Sequence, residues 1–127
     1  MPPGARLFLL LGGLFVFAAV VLGAFGAHGL KARLSPELLS VWQTGVQYHF
    51  YHALGLVLLG LAFFHLPDGA ALRASAWLMT AGIVLFSGSL YALALTGQKW
   101  LGAVAPVGGV AFLLAWGALA WAVVRAP

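Results

Sequence analysis

The chain has 127 residues, of which 64% are hydrophobic and 6% charged, and its mean hydropathy is +1.08. That composition excludes an ordinary water-soluble domain, where about 25% of residues carry charge. Its formal charge of +4 comes from scattered basic residues that form no stripe, which excludes a nucleic-acid partner and fits residues flanking membrane spans at lipid headgroups. The absence of cysteine excludes disulfides, thiolate metal sites and thiol catalysis.

Charges divide the chain into long uncharged runs: 24 residues between Arg6 and Lys31, 30 between Glu37 and Asp68, and 25 each between Arg73 and Lys99 and between Lys99 and Arg125. A spanning helix needs roughly 20 apolar residues. The expected fold is therefore all-α: a polytopic membrane protein, an up-down bundle of four transmembrane helices. It forms one domain, 1–127, with helices at about 7–29, 36–65, 71–96 and 101–124.

The first helix begins after Arg6. A charged start, an apolar core Leu7 to Leu22 and the small residues of Ala24-Phe25-Gly26 resemble a cleavable signal peptide. The apolar stretch, however, outruns a signal core and continues through Gly29, so retention is expected. Ala19, Gly23 and Ala27, spaced four apart, form a face for close helix approach. Near His28 the glycines predict fraying into an irregular segment.

Ser35-Pro36-Glu37 reads as a helix start, with Ser as cap, Pro at the first position and an acid in the first turn. No further proline occurs before Pro67, about 45 Å away at 1.5 Å per residue. This exceeds the ~30 Å hydrocarbon core, so the first turns either lie along the interface, with Trp42 as anchor, or protrude. Gly45 is a candidate bend.

Helix two opens on an unusually polar block, Val41 to Ala53. At about 100° per residue, Gln43, Gln47, Tyr51, Thr44, Tyr48 and His52 fall in one half of the helix, with Gly55 deeper along it. His49 falls outside that half, beside Gly45. A half-cylinder so polar is expected to face protein or a water-filled recess.

Pro67-Asp68-Gly69 marks a turn. Helix three carries Ser87, Gly88, Ser89 and Tyr91, and Thr96 to Lys99 connects it to helix four, with Trp100 at an interface. Pro106 falls in the first turns of helix four, where it is tolerated, followed by Gly108-Gly109. In an up-down bundle the polar ends meet at one membrane face. That face gathers His28, Gln43, Thr44, Gln47, Tyr48, His49, His52, Ser87, Ser89 and Tyr91 as a polar cluster or ligand-binding candidate. Arg6, Arg73 and Arg125 on one side balance Lys31, Arg33 and Lys99 on the other, so the charges set no orientation.

No catalytic residue, metal or cofactor is expected. Ser87 and Ser89 lack a placed acid, and no nucleophile elbow, phosphate loop or zincin motif occurs. His49-x-x-His52 lacks the glutamates of a di-iron bundle. A haem needs only two facing histidines, which leaves His28 opposite His49 or His52 as an alternative.

Four ordered motifs carry a resemblance: Gly23-Ala24-Phe25-Gly26-Ala27-His28-Gly29-Leu30; Trp42 to Tyr48 with His52-Ala53-Leu54; Phe86 to Tyr91 with Leu95-Thr96-Gly97; and Pro106 to Gly109 with Trp116. Together they resemble the DUF423 family of small bacterial inner-membrane proteins, related to the eukaryotic transmembrane protein 256 group. The resemblance implies about four membrane helices, a multi-pass protein of the bacterial inner (plasma) membrane and a retained first helix. It supplies no catalytic residue or cofactor. The expected partners are membrane lipids and either further copies of the chain or a larger membrane complex. The expected function is a structural or accessory subunit; the alternatives are a small oligomeric transporter or channel, or a lipid- or quinone-binding protein using Tyr48, His52 and Tyr91.

Overall fold

A chain this apolar must satisfy its backbone within each segment, and a helix does so. The computed structural model describes residues 1–127 and consists of helices and connections without strands. The first helix, α1, runs from Pro3 to Phe25 and continues as a π-helical turn over Gly26–Leu30. It starts four residues earlier than the expected boundary, and its end at His28 is wound rather than frayed. Pro3 sits in its first turn, where a missing N–H leaves no bond unmade.

The second helix, α2, is unbroken from Pro36 to Ala62, without a bend at Gly45. Ser35 caps it, its Oγ accepting from the Leu38 N–H at 3.2 Å. Ser35→Ala is expected to cost about 1 kcal/mol, read as a lower unfolding midpoint in detergent.

The third helix, α3, spans Ala70–Thr96 and includes a π-helical turn at Ile83–Ser87. It stops at Gly97, whose left-handed φ of 71° lets its N–H bond to the Leu93 carbonyl. At the other end, Arg73 grips Asp68 with two bonds of 2.6 and 2.8 Å, tying the turn to the first turn of α3. The guanidinium holds the Asp68 carboxyl below the usual carboxylate range. The fourth helix, α4, covers Ala105–Arg125 after a 3-10 turn at Lys99–Ala103, with Pro106 in its first turn.

Pro3–Leu30, Ala70–Thr96 and Lys99–Arg125 are long and apolar enough to cross a membrane. The expectation of four such helices is met by three. At 27 residues α2 has the length, but its Gln, His and Tyr residues dilute its apolarity.

Packing runs in sequence order, with α1 along α2, α2 along α3 and α3 along α4. Phe8, Leu56, Leu59, Leu72 and Met79 are fully buried at the centre. Small residues set how closely the helices approach. A Cβ on Gly60 would stand 2.8 Å from the Leu9 nitrogen, and one on Gly12 2.9 Å from the Val57 nitrogen, so α1 and α2 touch backbone to backbone there. The expected Ala19-Gly23-Ala27 face is only partly used, because Ala27 is exposed. Outward positions are apolar too: Leu113 is 73% and Phe17 70% exposed, a surface suited to hydrocarbon rather than water.

A polar site inside the bundle

His49 is the central residue of α2 and is only 4% exposed. Its Nδ1 lies 2.8 Å from the Tyr91 hydroxyl of α3. Either group can donate: the Tyr91 hydroxyl to a bare Nδ1, or an Nδ1–H to the Tyr91 oxygen. Its Nε2 is buried without a hydrogen-bond partner. The Phe15 ring meets the imidazole edge-on, centroids 5.9 Å apart.

Three further bonds cross between helices. The Trp42 indole N–H donates to the Leu22 carbonyl at 3.0 Å, joining α2 to α1. Ser87, at the end of the π turn, donates its hydroxyl to the Gly45 carbonyl at 2.7 Å, joining α3 to α2. Ser75 donates to the Ala115 carbonyl at 2.6 Å, joining α3 to α4. Glycine makes room for two of the ring contacts: Gly26 for the Trp42 indole that bonds to Leu22, and Gly45 for the Tyr91 ring that reaches His49.

His52 donates from Nδ1 to the Tyr48 carbonyl at 2.7 Å, which leaves Nε2 with a bare lone pair. Its ring lies flat on Phe112 of α4, centroids 3.5 Å apart. His49 and His52 therefore turn to different neighbours, His49 to α1 and Tyr91, His52 to α4.

The expected polar half of α2 needs correction. Gln43, Gln47, Tyr48 and Tyr51 are exposed, whereas His49, assigned outside that half, is buried. The cause is the placement of glycine and alanine: Gly45, Ala53 and Gly60 mark the face that α1 and α3 can approach, and His49, Leu56 and Trp42 share it. Gln47 is left to donate to the Tyr51 hydroxyl at 2.6 Å on the outer surface. Thr44 bonds only to the Ser40 carbonyl and Ser89 only to that of Phe86, each within its own helix. His28 is exposed on the π turn, away from the buried histidines.

Trp42 is corrected as well. Expected as an interfacial anchor, it is 2% exposed and packs where the end of α1 meets the start of α2, whereas Trp100 is 64% exposed. Ser75 and Phe112 were not anticipated. The only signal for Ser75 was a lone hydroxyl among alanines, and for Phe112 nothing beyond apolarity.

Three cavities of about 550, 150 and 450 Å³ lie toward the bundle ends, and none is lined by His49, His52, Ser87 or Tyr91. Gly55 is buried beneath Trp116 and Met79, so a single bundle holds no channel along that face. The interior groups hold helices together, and no cavity opens beside them.

These features define an all-helical membrane bundle cross-bonded by buried polar side chains. The chain belongs to the family described as "Protein of unknown function (DUF423)", which matches residues 22–109. It is similar to the UPF0382 membrane protein YwdK of Bacillus subtilis (strain 168), 50% identical over 111 residues, or 87% of this chain and 90% of that one. It is also similar to the UPF0382 membrane proteins SH2409 of Staphylococcus haemolyticus, 44% identical, and SERP0230 of Staphylococcus epidermidis, 45% identical; each alignment covers 87% of this chain and 89% of the relative. No solved structure matches. All four motifs of the resemblance begin within the matched segment, so the family reading of the sequence holds.

Proposed function

We propose that the chain is a structural or accessory subunit of the bacterial inner membrane, docking to another copy or a larger complex through the outer face of α2. One observation carries this reading: Gln43, Gln47 and Tyr51 point outward near the middle of a helix embedded among apolar ones. Lipid offers no partner to an amide or phenol, whereas a neighbouring helix does. Further along the same face stand Leu54, Leu58 and Leu61, which lipid accommodates.

Four crossings are part of the proposal. The support for α2 as a crossing helix is that it packs along both α1 and α3, which have the length and apolarity to span. The bacterial relatives named as membrane proteins support the localisation. Transport or quinone binding at Tyr48, His52 and Tyr91 would need room between copies, since the single bundle leaves none.

The test uses the absence of native cysteine. A nitroxide attached at a cysteine replacing Gln47 should show much lower oxygen accessibility in membranes than one replacing Leu113. A cysteine at Tyr51 should cross-link to a second chain. Equal oxygen accessibility at the two label sites would place the Gln47 face in lipid and sink the proposal.

A further inference from the structure

The groove between the start of α2 and the end of α3, about 450 Å³ in volume, is lined by Ser35, Glu37, Leu38, Val41, Leu93 and Lys99, among others. Two of these carry opposite charges. The other acid in the chain, Asp68, is bound by Arg73, but Glu37 and Lys99 form no ion pair although they line the same groove. A carboxylate and an ammonium held apart complement a ligand that carries the reverse pair.

Depth narrows the ligand. Glu37 lies roughly 18 Å along α2 from the central His49, at 1.5 Å per residue. On the proposed crossing of α2, with His49 at the midplane, half of a ~30 Å hydrocarbon core is about 15 Å, which puts the carboxylate at headgroup level. Leu38, Val41 and Leu93 form an apolar wall of the same groove, and the exposed Trp100 beside Lys99 suits the same interface.

We infer that this groove binds a zwitterionic aminophospholipid, its phosphate toward Lys99, its primary ammonium toward Glu37 and an acyl chain along Leu38, Val41 and Leu93. A primary ammonium donates hydrogen bonds to a carboxylate; a choline headgroup has no N–H to give, and an anionic headgroup meets Glu37 with like charge.

The experiment reconstitutes the full chain into nanodiscs of equimolar phosphatidylethanolamine, phosphatidylcholine and phosphatidylglycerol, then releases it for native mass spectrometry. Phosphatidylethanolamine should be enriched roughly fivefold over phosphatidylcholine among retained lipids, the scale of one exposed charge-assisted hydrogen bond. Glu37→Gln should abolish that preference and Glu37→Asp keep it, while Lys99→Gln should lower retention of all three lipids. Both side chains are exposed, so the variants should keep wild-type helix content by circular dichroism. Equal retention of the ethanolamine and choline lipids, preference for phosphatidylglycerol, or an unchanged preference in Glu37→Gln would each overturn the inference. So would displacement of the lipid by soluble phosphoethanolamine as readily as by short-chain phosphatidylethanolamine.

Discussion

Replacing Gly108 by alanine should destabilise the bundle by about 3 kcal/mol, the upper end of what overpacking a tight contact costs. A Cβ at Gly108 would stand 2.7 Å from the Cα of Phe86 and press on its backbone nitrogen. Backbone cannot rotate away as a side chain can, so α3 and α4 must part. Separation would also open the packing of Phe112 against Gly82, one turn along α4. Gly117, on the same helix, has nothing within 4 Å of its Cβ position. Gly117→Ala should be neutral or stabilise by up to about 1 kcal/mol through helix propensity. Unfolding midpoints in mixed micelles of increasing dodecyl sulfate content measure both. Equal effects at the two glycines would mean that the α3–α4 contact is looser than the geometry requires.

Trp42→Ala is expected to cost about 3–5 kcal/mol, the range for removing a large buried aromatic. The indole fills the space that Gly26 leaves on α1, lies 4.7 Å from the Tyr91 ring and donates to the Leu22 carbonyl. Trp42→Phe keeps most of the packing and loses the hydrogen bond, so about 1 kcal/mol should separate it from wild type. The same unfolding assay distinguishes the two roles considered for this residue. An interfacial anchor would give a small loss in both variants, and a buried tie a large loss in the first only.

The helices were legible because lipid-length apolar runs between charges leave few alternatives, and the Ser35-Pro36-Glu37 and Thr96-Gly97 boundaries follow from local backbone chemistry. The family was legible from its motifs. The facing of α2 was not. A polar arc was expected to point inward, yet the buried face is the one where Gly45, Ala53 and Gly60 admit a neighbouring backbone. Side-chain polarity says what a group needs, whereas side-chain size decides which faces can meet. His49 illustrates the difference. Its neighbours in sequence place it on the small-residue face, and only the packed partner Tyr91, 42 residues away, gives it a role. Burial of Trp42 has the same origin, since the Gly26 that accommodates its ring lies on another helix.

The π turn at Ile83–Ser87 amounts to a single residue inserted into an otherwise regular helix. Before it, Leu72, Ala76 and Met79 face the core; its last residue, Ser87, reaches Gly45, and beyond it Tyr91 reaches His49. Winding the same residues as a regular α-helix would swing everything beyond the turn by about 100°, because the wide turn absorbs the rotation of one residue. The Tyr91 hydroxyl would then leave His49 while the first half of α3 kept its packing. The winding of this segment is thus a phase setting: it dictates which side of the helix the residues beyond it occupy, independently of which residues they are.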